Sequence, residues 1–523
     1  MLRLELIQPV PHLLAEQAER FGDKVAFRDD RRSVGYADLE RRTARLAGHL
    51  RSLGVARGDR VLIYMDDRVE TAESYLATPR CGAVGVCVNP GAALPEIGYM
   101  LDNSGARAVI TDGEHVEAVR ALLAQRTATG AIPILVVTDD TPPAGTVSYE
   151  RLMCSAPALP ASDDLGLDDV AWMLYTSGTT GRPKGVLLTQ RGCLWVVAAC
   201  WAPIVGLSAD DRVLCPLPLF HSYALVLCVL GVFAVGASER ILGGFSPTRV
   251  LEELDDGPYT VLPGVPTMFQ YLLNAAGDGP VRTGRLRLCV SAGAIMPGPL
   301  NEAFEQVFGV RLLEGYGITE TSTMVTMNWP TGGRVMGSCG LPLPGVAVRL
   351  VDPMTGDDVE AGGEGELWVK GPLVMAGYHG RPEATAEALR HGWYRTGDLA
   401  RCDANGFITI SGRIKELIIR GGENIYPAEI ELVLLDAPGV ADAAVVGRLH
   451  PELGEVPVAF VVPERPGALD VSAAVAECRR RLSSFKVPER FVEVDHIPRT
   501  GSGKIQRHRL AEGLQPPAGG EQG

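Results

Sequence analysis

The chain of 523 residues is too long for a single domain, so we expect at least two folded units with ample apolar material for their cores. Hydrophobic residues make up 46% and charged residues 21%, values typical of globular proteins that exclude disordered, collagenous and coiled-coil chains. The net charge of -14 argues against non-specific binding to nucleic acid or anionic lipid, because both need clustered positive charge.

The cysteines and the apolar stretches indicate a cellular location. Eleven cysteines are scattered along the chain without any C-x-x-C pair, which is typical of reduced thiols in a cytosol. Residues 1–14 lack the uninterrupted apolar core of a signal peptide, so we expect no export and a cytoplasmic protein. The clean apolar run 224–237 is shorter than the roughly 20 residues that a membrane span needs, and we expect a buried helix there.

Residues 1 to about 165 alternate helical and strand patterns. Apolar residues at helical spacing predict helices at 12–21 and 37–54. Short β-branched runs predict strands at 24–27, 60–65, 106–111 and 133–138. The alternation continues to about residue 330, where the predicted strands 285–291 and 310–317 each end in a Gly-rich turn, the place where open α/β sheets bind ligands.

The pattern changes in the last third of the chain. From 337 to 370, Gly and Pro separate short alternating strands, which indicates a small antiparallel sheet or barrel. A compact α+β pattern follows. We therefore predict an α/β fold class: a large N-terminal domain at 1–412, made of two α/β subdomains and a β-barrel-like part at about 335–411, and a smaller mobile α+β C-terminal domain at 413–523. The tail from about 514 is expected to be disordered.

Residues 175–185 read YTSGTTGRPKG and directly follow a strand pattern. Backbone N–H groups, hydroxyls and the Lys184 ammonium in such a loop can all point at phosphate oxygens. The hydroxyl residues are Thr176, Ser177, Thr179 and Thr180. A Gly-rich surface turn, the simpler interpretation, does not need these hydroxyls together with a lysine. The loop is not that of a P-loop NTPase, because Lys184 lies between a proline and a glycine instead of preceding Ser or Thr.

This loop and seven further segments together resemble the adenylate-forming superfamily, which includes acyl-CoA synthetases, nonribosomal peptide adenylation domains and luciferases. The other segments are residues 89–101, 218–225, 291–297, 314–321, 394–399, 412–431 and 498–507. The resemblance covers almost the whole chain, and segments in this order leave little room for coincidence. It implies an enzyme that joins a carboxylic acid to ATP, releases pyrophosphate and passes the acyl group from the adenylate to a thiol.

The resemblance also implies a set of nucleotide-binding residues. These are Thr176, Ser177, Gly178, Thr179, Thr180, Lys184, Gly293, Ala294, Tyr316, Gly317, Thr321, Asp398 and Arg413. Within the set, the loop would hold the β- and γ-phosphates, Tyr316 would stack on adenine and Thr321 would contact the α-phosphate. Asp398 would accept hydrogen bonds from the ribose hydroxyls, with Arg413 as a second contact.

Three residues are implied in catalysis. Glu320 would ligate Mg²⁺ as a hard oxygen donor, although an ordinary carboxylate at a helix start has the same appearance. Lys504 would bridge the carboxylate and the α-phosphate, whereas a lysine is usually solvated at the surface. His221 would be an aromatic gate beside the acyl pocket, with a buried core histidine as the alternative. The chain has six lysines against 43 arginines, and three of the six, at 184, 415 and 504, fall on motif positions.

The same resemblance places a hinge at Lys415, about which the C-terminal domain would turn between the two half-reactions. Gly421 and Gly422 would admit a pantetheine arm, with Asn424 beside them. CoA is the favoured thiol because the segment 412–431 has the acyl-CoA synthetase style. Ile419 and Asn424 stand where some aryl-CoA ligases carry Lys and Gln, so the second half-reaction could be delegated to a partner.

Segment 217–236, expected to wall the acyl pocket, contains no charged residue. Relatives that activate amino acids carry an Asp where His221 stands, and relatives that use dicarboxylates need a buried Arg. We therefore expect an apolar monocarboxylic acid, because burial of an unpaired charge is costly. The predicted substrates and cofactors are this acid, ATP, Mg²⁺ and CoA. The alternative is a stand-alone ligase that hands the adenylate to a carrier protein or a partner ligase.

Overall fold

The chain forms two structural units, each assembled from separate stretches of sequence. The first contains Met1–Ala347 and Val369–Tyr394, and the second contains Val348–Trp368 and Arg395–Gly523. The computed structural model describes residues 2–125, 134–139, 141–176, 183–277, 281–420, 423–465, 467, 469–499 and 504–514. The boundary predicted between 412 and 413 stays a prediction, and the tail predicted to be disordered lies, from residue 515 onward, outside the described residues.

The strands follow one another along the whole chain. In chain order they are β1 (Val25–Arg28), β2 (Ser33–Gly35), β3 (Arg60–Tyr64), β4 (Val84–Cys87), β5 (Ala108–Thr111), β6 (Ile134–Val137), β7 (Val147–Ser148), β8 (Val170–Thr176), β9 (Lys184–Thr189), β10 (Arg212–Cys215), β11 (Ser238–Ile241), β12 (Val261–Gly264), β13 (Leu288–Ser291), β14 (Arg311–Tyr316), β15 (Thr326–Met327), β16 (Leu341–Pro342), β17 (Ala347–Val351), β18 (Glu364–Lys370), β19 (Gly377–Tyr378), β20 (Leu389–Arg390), β21 (Trp393–Cys402), β22 (Ile408–Arg413), β23 (Ile418–Arg420), β24 (Glu423–Ile425), β25 (Val440–His450), β26 (Gly454–Pro463) and β27 (Arg490–Glu493).

The α-helices alternate with these strands in the first unit and flank a sheet in the second. They are α1 (Val10–Phe21), α2 (Tyr36–Ser52), α3 (Val69–Arg80), α4 (Leu94–Ser104), α5 (Val116–Ala124), α6 (Tyr149–Cys154), α7 (Gln190–Val196), α8 (Ser222–Ala224), α9 (Val232–Val235), α10 (Pro247–Leu254), α11 (Pro266–Ala276), α12 (Gly298–Phe308), α13 (Pro382–Ala388), α14 (Pro427–Leu435), α15 (Val471–Arg481) and α16 (Arg507–Glu512). Short 3₁₀ turns lie at Leu4–Leu6, Thr319–Thr321, Ile414–Glu416 and Ser484–Lys486.

Two sheets organise the first unit. One has the order β19-β9-β8-β4-β3-β5-β6-β7, and the other has the order β16-β15-β14-β13-β12-β10-β11-β1-β2. In the second of these sheets, the pairs β11-β10, β10-β12, β12-β13 and β13-β14 are parallel. In the first, the pairs β4-β3, β3-β5 and β5-β6 are parallel. All four residues of β4, β5, β12 and β13 are buried, as expected for parallel strands covered on both faces.

The buried helix expected at 224–237 is confirmed, but its hydrogen bonding differs from a regular α-helix. The π-helix Leu225–Gly231 separates α8 from α9, and all of its residues are buried. A second π-helix, Val197–Trp201, continues α7 and is equally buried. Within the described ranges, no helix combines the length and apolar character needed to cross a membrane. None of the eleven cysteines, all of them described, forms a disulfide.

The second unit contains the small antiparallel sheet predicted from the Gly and Pro punctuation. β18 lies between β17 and β21, and β22 pairs antiparallel with β21. A further sheet, β24-β23-β26-β25 with β27 on β26, packs α14 and α15 over a core that includes Ile430, Leu434 and Cys478. The mixed α/β architecture with an antiparallel sheet and a smaller α+β part confirms the predicted fold class.

Candidate functional site

The predicted phosphate loop connects two paired strands. β8 and β9 are antiparallel, and Thr176 lies directly opposite Lys184 in their register. The hairpin therefore places Lys184 beside Thr176 at the base of the loop. The loop residues between them, Ser177, Gly178, Thr179 and Thr180, lie outside the described residues.

Lys184 and Glu320 both contact one tyrosine, Tyr378. Tyr378 belongs to β19, which pairs with β9. The Lys184 Nζ lies 4.9 Å from the centroid of the Tyr378 ring, within cation–π range. The Tyr378 hydroxyl donates a hydrogen bond of 3.1 Å to the Glu320 Oε1 atom. Burial raises the pKa of the Tyr378 phenol, so this hydroxyl stays protonated and remains a donor.

Tyr394 belongs to the same cluster. The phenol is buried, and burial raises its pKa well above the usual value, with further contributions from Glu320 and Tyr378 and from Tyr316. The sequence motif at 394–399 includes Tyr394 without a role, and Tyr378 was missed altogether. Tyr378 lies on a two-residue strand far along the chain from Lys184, so no local pattern marks it.

The residues predicted to surround adenine lie at the ends of neighbouring strands. β13 and β14 are parallel, with Ser291 opposite Glu314, so the turns that follow them are adjacent. Gly293 follows β13 with a φ of +88°, in the left-handed region that favours glycine. Tyr316 ends β14. The carboxyl ends of adjacent parallel strands are where α/β sheets place ligands.

The turn that carries Glu320 is tightly closed. A Cβ on Gly317 would lie 1.5 Å from the Thr323 carbonyl oxygen, so only glycine fits there. Thr321 is fully buried, and its hydroxyl accepts a hydrogen bond of 3.2 Å from the Ile318 amide and donates one of 3.0 Å to the Ile318 carbonyl. These bonds hold the turn, and the predicted contact of Thr321 with the α-phosphate stays a prediction.

His221 lies at the start of the helix that contains the longer π-segment. Its Nδ1 atom accepts a hydrogen bond of 3.4 Å from the Tyr223 amide and caps α8. The Tyr223 hydroxyl donates to the Val290 carbonyl at 2.9 Å, and its ring stacks on Trp201 at 6.1 Å. His221 is half-buried, and its role as a gate stays a prediction.

In the second unit, the two residues predicted to contact the ribose, Asp398 and Arg413, form an ion pair. They face each other across β21 and β22, and the Arg413 Nε atom donates a hydrogen bond of 2.9 Å to the Asp398 Oδ1 atom. Asp398 is only 3% exposed, so its carboxylate is held by the fold and not by solvent. Its contact with ribose hydroxyls stays a prediction.

The segments that carry Lys415 and Lys504 are joined within the second unit. Lys415 is exposed in the turn Ile414–Glu416, and Lys504 is half-buried three residues before Arg507. The Arg507 Nε atom donates a hydrogen bond of 2.8 Å to the Glu416 Oε2 atom, next to Lys415. The remaining predicted thiolation residues lie outside the described residues: Gly421, Gly422 and the side chain of Asn424.

Comparison with known proteins gives matches over nearly the whole chain. It is 39% identical to the naringenin synthase of Pestalotiopsis fici over 96% of its length, and spans 19% of that protein. It is 38% identical to the feruloyl-CoA synthase of an Amycolatopsis species, over 92% of this chain and 94% of the relative. The crystal structure of the anthranilate CoA ligase AuaEII with anthranoyl-AMP superposes with a TM-score of 0.90, 26% identity and 97% coverage of both chains.

Family profiles match both parts of the molecule. The profile of the AMP-binding enzymes matches residues 14–379, and the profile of the C-terminal domain of AMP-binding enzymes matches residues 429–504. The two matches include Thr176, Lys184, Glu320 and Lys504, the described residues on which the predicted chemistry depends most. The chain belongs to the family of AMP-binding enzymes.

Proposed function

We propose that the chain is an AMP-forming carboxylic acid–CoA ligase. It would use ATP to convert an apolar monocarboxylic acid to an acyl-adenylate, release pyrophosphate and then transfer the acyl group to CoA. The observation that carries the proposal is the arrangement of Lys184, Tyr378 and Glu320, which sets a cation and a carboxylate around one tyrosine beside a predicted phosphate loop. The names of the feruloyl-CoA synthase and the anthranilate CoA ligase support the CoA step.

Charge neutralisation is the main task of the first step, because ATP and the acid are both anions. Lys184 and the hydroxyl of Thr176 would bind phosphate oxygens. The half-buried Glu320 carboxylate fits a Mg²⁺ ligand, since it offers a hard oxygen donor whose orientation Tyr378 fixes by a hydrogen bond. A bound Mg²⁺ would supply positive charge to the phosphates.

Lys504 would provide the positive charge that the chemical step itself needs. We propose that its ammonium contacts the carboxylate and the α-phosphate as negative charge builds between them. A lysine suits this role because its charge is compact and its stem is flexible. Rotation at Lys415 would then replace this arrangement with one that admits CoA past Gly421 and Gly422, while Asp398 and Arg413 would hold the ribose.

An aromatic acid is the substrate that we favour within the apolar monocarboxylic class. Residues 217–236 carry no charge, and the π-helix Leu225–Gly231 within them is fully buried. A charged group on the substrate would lack a partner against such a wall. The feruloyl and anthranoyl groups in the names of the relatives are planar aromatic acyl groups, which support the same choice.

Replacement of Lys504 tests the mechanism. Lys504→Ala should abolish pyrophosphate release from ATP and acid, yet leave thioester formation from a supplied acyl-adenylate largely intact. Lys486→Ala is a matched control, because Lys486 is another lysine of the second unit whose Nζ contacts Glu429 at 2.7 Å. Equal loss of both half-reactions in Lys504→Ala would contradict the assigned role.

A panel of acids tests the substrate class and the acceptor. Pyrophosphate release and CoA thioester should both appear with cinnamate- or benzoate-type acids, measured by a coupled assay and by mass spectrometry. Faster turnover of malonate or of free amino acids would overturn the apolar assignment. Pyrophosphate release without any CoA thioester would instead indicate a ligase that hands its adenylate to a carrier protein.

A further inference from the structure

Two thiols and a carboxylate meet in the core of the first unit. Cys215 ends β10, Cys228 lies in the π-helix Leu225–Gly231 and Glu239 lies in β11. One ligand atom from each of the three side chains lies within 4.8 Å of the other two, and all three residues are buried. Neither the sequence motifs nor the proposed function uses them.

The strand register explains how the cluster forms. β10 and β11 are parallel, with Val213 opposite Glu239 and Cys215 opposite Ile241. Because side chains alternate along a strand, Val213, Cys215 and Glu239 point to the same face of the sheet. Cys228 of the π-helix lies against that face, so the three ligands come from three separate elements.

The carboxyl group of Glu239 is buried without a well-formed hydrogen bond to any described residue. The residue is 2% exposed, and among the described residues neither of its oxygens has a hydrogen bond of normal geometry. A buried carboxylate without a partner is strongly unfavourable. Burial raises the pKa of Glu239 well above its usual value, and the thiols of Cys215 and Cys228 also affect it. Two arrangements meet this cost: a neutral acid that shares weak hydrogen bonds with the two thiols, or a bound cation.

The groups around the cluster favour a cation. Asp67 contributes to the raised pKa of both Glu239 and Cys228, and burial raises the pKa of Asp67 itself to about 7. Tyr36 and Tyr223 also face the cluster, but their hydroxyls donate to backbone carbonyls. Burial is the largest cause of the raised pKa of Glu239 and of Cys228, and the neighbouring groups that add to it are acids and thiols, whose negative forms a positive ion would stabilise.

We propose that Cys215, Cys228 and Glu239 bind a thiophilic divalent metal ion, with Zn²⁺ as the best match and with both carboxylate oxygens of Glu239 completing its four donors. Zn²⁺ accepts thiolate and carboxylate ligands together, whereas Mg²⁺ and Ca²⁺ bind oxygen donors. Two sulfurs at about 2.3 Å from a tetrahedral ion stand about 3.8 Å apart, inside the spacing of the cluster. Binding would release the protons of the two thiols and the carboxyl. Cys215 would also give up the hydrogen bond of its thiol to the Leu217 carbonyl.

The ion would have a structural role distinct from that of the Mg²⁺ ligand Glu320. It would tie β10 and β11 to the π-helix that starts four residues after His221. The helix would then be held by a coordination bond at Cys228 in addition to apolar packing, and the position of His221 would depend on it. This inference does not rest on the proposed ligase activity.

The test is the metal content of the intact chain. Protein produced in medium supplemented with Zn²⁺, and purified without chelator, should hold about one zinc ion per chain by plasma mass spectrometry. Protein produced with Co²⁺ should show the near-ultraviolet charge-transfer absorption of a cobalt thiolate. Cys228→Ser and Glu239→Gln should each lower the content at least about tenfold. Cys200→Ser is the matched control, because Cys200 is a buried cysteine of the other π-helix outside the cluster.

Three results would overturn the proposal. The first is wild-type protein that carries no zinc and no cobalt after production in supplemented medium, a result that needs no variant to fold. The second is metal that stays bound in folded Cys228→Ser and Glu239→Gln protein, since the ion would then lie elsewhere. The third is an X-ray absorption spectrum of the zinc protein without a sulfur shell near about 2.3 Å.

Discussion

Replacement of Gly317 by alanine should disable the site through the backbone alone. The new Cβ would lie 1.5 Å from the Thr323 carbonyl oxygen, and real Cβ contacts are not shorter than 3.0 Å, so the turn must open by at least about 1.5 Å. Neither end can yield easily. The Thr323 amide donates to the Ile318 carbonyl at 3.1 Å, and the Val325 amide donates to the Tyr316 carbonyl at 2.8 Å.

The expected effect follows from the position of this turn. It carries Glu320, and a misplacement of about 1 Å costs about 100-fold in rate where charges must align. We expect Gly317→Ala to reduce ATP–pyrophosphate exchange at least about 100-fold and the free energy of unfolding by about 1–3 kcal/mol. Gly243→Ala is the control, because a Cβ at Gly243 meets no atom within 4 Å. A folded Gly317→Ala enzyme with exchange within about twofold of wild type would refute the reasoning.

Three further predictions concern buried polar groups. Burial raises the pKa of Glu314 to about 7, so ionisation of this carboxyl opposes folding as the pH rises. In urea unfolding, wild type should lose up to about 3 kcal/mol of stability relative to Glu314→Gln between about pH 4.5 and a pH above 7. Stability curves of the two proteins that run parallel across this pH range would contradict the prediction. Arg507→Ala leaves the buried Glu431 carboxylate without its arginine partner and should destabilise the second unit by about 3–5 kcal/mol in the same assay, with Arg507→Lys in between. Gln190→Leu leaves the Val10 amide without its acceptor at 2.8 Å and should cost about 1–3 kcal/mol by thermal unfolding; an unchanged midpoint would be inconsistent with that bond.

Local sequence patterns predicted several elements of the first unit. The runs at 60–65 and 106–111 become β3 and β5, because β-branched residues suit strands that are buried on both faces. The buried helix at 224–237 was predicted but the π hydrogen bonding of Leu225–Gly231 was not, because in a wholly apolar segment no polar residue marks the turn period. The inclusion of Val348–Trp368 in the second unit was also not predicted, because it depends on pairing with strands far along the chain.

The candidate site shows the same limit. Motif positions identified Lys184 and Glu320, and the structure links them, but the link is Tyr378, which no motif contained. A residue whose role depends on contact with a distant part of the chain cannot be recognised from the periodicity of the sequence around it. Glu239 is a similar case: its sequence surroundings resemble an ordinary strand end, and only the register with β10 shows that the carboxylate faces inward.

The inclusion of Val348–Trp368 in the second unit has a consequence for synthesis of the chain. These residues belong to the second unit, yet the rest of that unit begins at Arg395. At about 5–20 residues per second, a ribosome needs about 1–5 seconds to deliver the residues between. β18 can pair with β17 at once, but its other edge stays open until β21 emerges. During this interval the nascent chain exposes an unpaired strand edge, which is a template for aggregation that a chaperone could shield.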